Sequence, residues 1–337
     1  MKKLVTIGIP IYKRLEYLPN VLKMVEAQDY PHIDLLISDN GMNGTAVSDI
    51  VRKHYPKPYR FRQNAATVSG SIHFTELIQN AVGEYFIALP DDDEISPNYV
   101  SELLRVLMKH PEASVALARE ETIDETGQLI RMSSDSVPEV LSGADFIRAT
   151  WGSHAYGLTG LCTFLSKTET LLACGGFPDI WAATSDEDML MVKLCLNSHV
   201  AFSTQCAYRK RFYETSLGYA IGMEDLARGI REFLSCLDSD RMILEYAALH
   251  GAEWNELRAY LVKSSWNTYF YRWANLYRQR LTPIKWTMAA FALPPRYYGK
   301  VGSSLIGAGK SAALSQVKRY CPQAYTAYRT TKSRFLR

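Results

Sequence analysis

The sequence predicts an α/β fold, a mostly parallel sheet with flanking helices, followed by a helical and basic C-terminal region. Three observations predict it. Strand-like and helix-like segments alternate four times within the first 110 of 337 residues, the pattern of βαβ units. The first strand-like segments are continuous apolar, β-branched runs, as strands covered on both faces require. Charge is divided along the chain: residues 257–337 carry 15 Lys and Arg and no Asp or Glu, which leaves −12 on residues 1–256 within a formal total of +3.

The elements follow in order. Leu4–Pro10 is an apolar run that ends at proline, and Leu15, Leu18, Leu22 and Val25 then recur at helical spacing. Residues 33–39 form a second strand, followed by a helix through Ile50 and His54; Tyr59–Arg62 is a shorter third strand, and Ser69–Ala81 is helical. Tyr85–Leu89 is a fourth strand, stopped by Pro90 and a run of acids, and Pro97–His110 is helical with Pro97 near its first turn. Beyond this the strands become irregular, at 115–119, 129–132, 161–165 and 200–208, with a helix over Ser185–Asn197. After Ile221 the periodicity is helical, at 226–236, 242–250 and 257–277. This divides the chain into an α/β domain over 1–220, with halves 1–110 and 111–220, and a helical basic region over 221–337.

With 47% hydrophobic and 22% charged residues the composition excludes wholesale disorder. The six cysteines are scattered with no C-x-x-C pair. A structural zinc cluster is therefore not expected, and buried free thiols in a reducing compartment are. The N-terminus reaches Pro10 and Tyr12 too soon for a secretory leader, and no apolar stretch is long enough to span a bilayer. The expected location is cytoplasmic, peripheral at the inner face of the plasma membrane.

Open parallel sheets bind ligands beyond the carboxyl ends of their strands. The residues at those ends are Pro10 and Tyr12, Asp39, Arg62, and Asp91 to Asp93. Four consecutive acids, Asp91-Asp92-Asp93-Glu94, repel one another without a compensating cation. Mg²⁺ and Mn²⁺ take such oxygen ligands and share them with phosphates. Acids also stabilise helix starts, the ordinary reading for Glu94 and Ser96. A second acidic group, Ser185-Asp186-Glu187-Asp188, opens an amphipathic helix. Ser185 or Asp186 suits an N-cap, and one carboxylate there suits a general base.

Together these residues resemble family-2 glycosyltransferases with the GT-A fold, a Rossmann-like architecture, in the branch that builds bacterial O-antigen and surface polysaccharides. The resemblance rests on Val5–Arg14, on Ile37-Ser38-Asp39-Asn40-Gly41, and on Asn80–Tyr85 leading to Asp91-Asp92-Asp93. It rests also on Gly175-Gly176-Phe177 and, ten residues on, Glu187-Asp188, and it covers about residues 1–215. It implies that Pro10, Tyr12 and Arg14 line a nucleotide pocket with Tyr12 near the base, and that Asp39 accepts a hydrogen bond from that base. Arg62 and Ser69 would border the nucleotide. Asp91 would face the ribose and share the metal, Asp93 would ligate Mn²⁺ or Mg²⁺ at the diphosphate, and Asp92 would share either role. Asp188 would be the catalytic base of an inverting transfer, which needs no second nucleophilic carboxylate; a glycosidase would need a close carboxyl pair and no metal.

The resemblance has one departure. Relatives carry Arg-x-His near the end of this domain, the His being a metal ligand, whereas here Arg211-Phe212-Tyr213 puts a tyrosine in that place. Either fewer protein ligands hold the metal, or basic residues such as Arg211 neutralise the phosphates. Trp151, His154, Tyr156, Trp181 and Glu187 are acceptor-site candidates, since sugars stack on aromatic faces; core packing is the competing reading for the aromatics.

The implied partners are a nucleotide-sugar donor, a UDP-sugar foremost, and a saccharide or lipid-linked saccharide acceptor. The basic segment, with Trp266–Trp273 and Pro283–Leu293, suits an anionic membrane surface. A homo-oligomer contact or an ordinary basic subdomain meeting the acidic body competes with this. Nucleic acid is disfavoured, because no nucleic-acid motif is present. Two other functional readings are a sugar nucleotidyltransferase, which would want a Gly-rich, lysine-bearing loop after the first strand, and a non-catalytic membrane-surface scaffold with a relic nucleotide site.

Overall fold

A computed structural model describes residues 3–213, 221–278, 293, 294 and 297. In the first half, β1 (Val5–Ile11), β2 (Ile33–Asp39), β3 (Arg60–Gln63) and β4 (Tyr85–Ala88) alternate with α1 (Leu18–Glu26), α2 (Ala46–His54) and α3 (Gly70–Gln79). These four strands pair in parallel, with β1 at the centre between β2 and β4. Every residue of β1 is buried, as its unbroken apolar run predicts. Ser69 caps α3 by accepting the Ile72 N–H.

The second half adds β5 (Glu94–Ile95), α4 (Tyr99–Lys109), β6 (Ala113–Ile123), β7 (Leu129–Met132), β8 (Val140–Ser142), α5 (Gly143–Ile147), β9 (Leu165–Lys167), α6 (Thr168–Ala173), α7 (Asp186–Cys195) and β10 (His199–Arg211). All ten strands join one sheet, in the order β3-β2-β1-β4-β9-β6-β10-β5, with β7 on β6 and β8 on β10. β9 runs antiparallel between β4 and β6, while β6 and β10 are parallel over nearly their whole length. Of the strand expected at 161–165 only its last residue joins the ladder, in β9. Residues 161–164 instead lend backbone groups to side chains: the Leu161 N–H goes to Glu187 and the Thr163 carbonyl to Tyr99. β10 runs three residues beyond its expected end at Tyr208, which carries Lys210 and Arg211 to the acidic loop.

The sheet has a core on each face, because successive side chains point to opposite sides. Ile7, Ile9, Leu35, Ile37 and Ile87 pack with α1, α2 and α4. Leu36, Phe86 and Ala88 pack on the other face with α3, α6 and α7. That second core also takes in α8 (Met223–Ser239), α9 (Arg241–Leu249) and α10 (Gly251–Arg278), through Phe233, Leu237, Ile243, Trp254, Leu257 and Leu261. The C-terminal helices are therefore part of the same packed unit as the sheet.

Trp266, Tyr269 and Phe270, read from the sequence as membrane-facing, are buried. Arg258 pairs with Asp238 at 2.6 Å, and Arg148 with Glu253 and Glu256 at 2.9 and 3.0 Å, so basic and acidic residues meet across these elements. Among the described residues no helix is long and apolar enough to cross a membrane. The boundary placed near 220, Cys321 and the basic segment from 279 onward, apart from Leu293, Pro294 and Tyr297, lie outside the described residues. The five described cysteines are free thiols.

Candidate active site

The acidic loop after β4 lies where the ends of β1 and β10 converge on it. Asp93 is 5% exposed. Its carboxylate accepts the Tyr208 hydroxyl at 2.5 Å and the Arg211 N–H at 2.8 Å. Each oxygen thus accepts one internal donor, which anchors the acidic loop to β10. Asp92 and Asp91 are the more open carboxylates. Asp92 accepts the Tyr213 hydroxyl and lies 3.3 Å from Arg14 Nη1. Arg14 stacks on the Tyr213 ring at 4.3 Å, and its Nη1, although buried, makes no hydrogen bond. Tyr213 therefore stands on the acids at the position where the sequence aligned it, with a donor hydroxyl in place of an imidazole. The Tyr12 backbone lies beside Asp91 and favours its charged form.

Burial, with Asp92 and Asp93 alongside, pushes the Asp91 carboxyl up to about 8. Burial also raises Asp92 and Asp93. Among the described residues no group of three His, Cys, Asp or Glu side chains converges on a metal position. Asp91 and Asp92 nevertheless fit a hard cation, which needs only one or two carboxylates when diphosphate oxygens and water complete its shell.

Arg211 is not available to phosphates. Its guanidinium donates to the carbonyls of Asp92, Asp124 and Glu125 and to Glu94 at 2.6 Å, and it stacks on Tyr17 at 4.8 Å. It cross-ties the acidic loop to the turn after β6. Lys210, one residue back and so on the opposite face of the strand, donates to the Thr159 carbonyl at 2.9 Å. The acids Glu187, Glu120 and Asp93 around it outweigh burial and raise its ammonium. Lys210 is the cation that lies near both acidic groups.

The second acidic group opens α7. Asp186 is buried and accepts the Ser71 hydroxyl at 2.7 Å, and its carboxyl is raised by burial to about 6. Glu187 accepts the Leu161 N–H at 3.2 Å. Asp188 is held by the Trp151 indole N–H at 3.2 Å, and burial together with Glu187 pushes it up to about 7. Gly175 and Gly176, which precede this group, both have left-handed backbones, with φ of 79° and 72°.

Other expected residues take structural places. Asp39 is wholly buried and accepts the N–H groups of Gly41 and Asn43 and the side-chain amides of Asn43 and Gln63, at 2.8–3.0 Å. It organises the β2–α2 turn and has no face left for a nucleobase. Pro10 is buried within β1, so only its backbone could border a ligand. Tyr12 is 54% exposed, with the Lys13 ammonium over its ring at 5.8 Å. Arg62 is paired with Glu76 at 3.1 Å. Ser69, besides capping α3, donates to Asp179 at 2.6 Å.

Trp151 is 7% exposed and packs edge-on to Phe146. Its role is to hold Asp188, not to stack on a sugar. His154 is exposed, with a left-handed backbone, and Tyr156 is half-buried. The Trp181 ring is covered on one face by Arg228 at 3.5 Å. The sequence reading missed Ser71 and Lys210 and the part played by Tyr208. The signal for Tyr208 and Lys210 is the alternation along β10, legible once the strand is known to reach Arg211.

The same architecture recurs among solved structures. Residues 1–349 of TarS from S. aureus in complex with UDP-GlcNAc superpose with a TM-score of 0.64 at 17% identity, covering 98% of this chain and 91% of that one. The mannosyltransferase PcManGT from Pyrobaculum calidifontis, in complex with GDP-Man and Mn²⁺, gives 0.52 at 13% identity over 99% and 85%. An uncharacterized glycosyltransferase of Rickettsia felis is 25% identical over 217 residues, 62% of this chain and 34% of that protein. One of Rickettsia prowazekii is 24% identical over 257 residues, 73% and 76% of the two chains. The chain thus spans about a third of the length of the Rickettsia felis relative. The sequence model for glycosyl transferase family 2 matches residues 6–215, the stretch that carries both acidic groups, and with the GT-A sheet beneath them this chain belongs to glycosyltransferase family 2.

Proposed function

We propose that the chain transfers a sugar with inversion from a nucleotide-sugar donor, a UDP-sugar foremost, to a saccharide acceptor. The observation that carries this reading is the pairing of two acidic groups of different character. Asp91 and Asp92 face Arg14 at the strand ends. Asp188, on α7, is oriented by Trp151, and burial with Glu187 beside it pushes its carboxyl up to about 7. A general base works best with a pKa near the operating pH. Asp188 accepts the proton of the acceptor hydroxyl as its oxygen bonds to the anomeric carbon and the bond from that carbon to the diphosphate breaks. Arg14 and Lys210 are cations that draw the leaving diphosphate and offset its charge. Asp91 and Asp92 would hold a Mn²⁺ or Mg²⁺ ion, which when bound stabilises charge on the leaving group. The UDP-GlcNAc and GDP-Man with Mn²⁺ bound to the two structural neighbours support a donor of this class.

The sugar nucleotidyltransferase reading lacks support at β1, where Ile9-Pro10-Ile11-Tyr12 offers no Gly-rich, lysine-bearing loop. A lipid-linked acceptor in surface-polysaccharide synthesis, at the cytoplasmic face of the plasma membrane, is the setting we propose. The basic residues beyond 279 support it. Flotation with anionic liposomes at low salt tests it, and failure to float removes it.

Asp188→Asn is expected to lower kcat by about 10²–10⁴-fold while nucleotide affinity is retained. Turnover near wild type would remove Asp188 from the reaction. Thermal shifts with a panel of UDP-, GDP-, CDP- and dTDP-sugars, with and without Mn²⁺, identify the donor. Asp92→Asn is expected to abolish the Mn²⁺-dependent part of the shift, and an unaltered Mn²⁺ response would move the cation elsewhere.

A further inference from the structure

The segment Ile180–Ser185 leads into α7, and its backbone adopts conformations that side-chain-bearing residues avoid. Ala182, Ala183 and Ser185 have φ of 56°, 50° and 65°, each unfavourable for an L-residue. Such strain persists only where the surroundings over-determine it. Here the surroundings are α8 on one side and α3 on the other. Glu232 of α8 accepts the Trp181 backbone N–H at 2.7 Å, and Asp225 accepts the indole N–H at 2.7 Å. Between them Arg228 lies over the ring. Gly229 completes the contact: a Cβ there would fall on Thr184 Oγ1 and lie 2.9 Å from the Trp181 carbonyl. Thr184 Oγ1 in turn donates to that carbonyl at 2.9 Å. On the α3 side, Ser69 holds Asp179 and Ser71 holds Asp186.

Trp181 remains 41% exposed. Simple burial therefore does not account for three α8 side chains converging on it. All four α8 residues also lie beyond residue 215, where the family match ends. We infer that α8 is a positioning element of the active site. Through Trp181 and Gly229 it holds Ile180–Ser185 in its left-handed course, and so fixes where α7 begins and where Asp188 points. This inference rests on the reading of Asp188 as the base only for its effect on turnover, not for its effect on the segment. Trp181 and Gly229 are positioning residues and touch no substrate in this account.

The test uses the full chain and two variants. Gly229→Ala forces α8 and Thr184 apart. Trp181→Phe keeps a ring under Arg228 and deletes only the indole donor to Asp225, so it decides the matter should Gly229→Ala fail to fold. Hydrogen exchange of residues 180–190 is expected to quicken by about tenfold or more while the amides of β1 and β4 stay protected. The expected kinetic signature is a kcat lower by about tenfold or more with the donor KM changed less than about twofold, since misplacing a reacting group costs rate rather than donor affinity. Unchanged exchange in 180–190 overturns the inference, as does quickened exchange with unchanged kcat. Asp188→Asn is assayed alongside. Should it turn over like the wild type, the assignment of the base falls, while the exchange data still decide whether α8 sets the segment.

Discussion

Asp93 and Asp188 are both carboxyls that burial raises, and their partners separate their uses. Asp93 receives two donors, the Tyr208 hydroxyl and the Arg211 N–H. Asp93→Ala is expected to destabilise the protein by about 2–4 kcal/mol, because each buried group left unsatisfied costs about 1–3 kcal/mol. The urea midpoint below neutral pH reads this. Asp188 receives one indole donor, and burial raises its carboxyl to about 7. A carboxyl raised above its unfolded value contributes stability that is full below the unfolded pKa and lost as pH climbs through the folded one. Asp188→Asn should therefore stabilise the protein by about 1–3 kcal/mol at pH 8 and by little at pH 5. Thermal unfolding at the two pH values measures the difference, and a gain of equal size at both would show that charge is not its cause. For the wild type, kcat/KM should rise with pH and level off above about 7, where Asp188 has lost its proton.

At the scale of elements, β10 does the most to assemble the site. Its alternation sends Tyr208 and Lys210 toward residues 159–163, and Arg209 and Arg211 toward Glu94, Glu121 and the turn after β6. One strand thereby ties the acidic loop, the irregular segment before β9 and the β6–β7 hairpin into fixed register. The approach to α7 is set in a similar way by the left-handed pair Gly175-Gly176. A Cβ at Gly176 would lie 2.7 Å from Thr75 Oγ1, the atom that both accepts from the Phe177 N–H and donates to its carbonyl. Gly176→Ala should cost about 1–3 kcal/mol from the positive φ and this contact together. Denaturant unfolding checks the loss, and a neutral result would mean that the turn can be remade.

For the whole molecule, the helices after residue 221 are not an appendage. Phe233, Ile243, Trp254 and Leu261 belong to one apolar core with Leu190 and Phe202 beneath the sheet. Truncation after residue 215, where the family match ends, strips that core on one side. The expected outcome is a chain that aggregates, or that binds a hydrophobic dye strongly if it stays soluble. A soluble, cooperatively unfolding fragment would show that the catalytic unit ends where the match does. The charge division seen in the sequence is partly spent inside this assembly, as Arg258 of the basic portion meets Asp238 of the acidic one.

Much of this was legible without coordinates. The apolar runs of β1, β2 and β4 and the helical spacing of α1 and α3 determined the parallel half of the sheet, because burial on both faces leaves a local signature. The acids after β4 pointed to a candidate site because charges that cluster after an apolar run mark where a strand stops, and those of 186–188 because they open a helix. What the sequence could not tell was which carboxylates were already committed. Asp39 and Asp93 read as ligand-binding groups, and the fold shows both also serving as internal acceptors: Asp39 for its own turn, from Gly41 and Asn43, and for Gln63, Asp93 for Tyr208 and Arg211, 115 and 118 positions away. Trp151 and Trp181 likewise read as sugar platforms, and only tertiary packing showed that one holds Asp188 and the other is gripped by α8. Periodicity is a property of neighbours along the chain, whereas the state of a buried polar group is decided by what the fold brings across space to meet it.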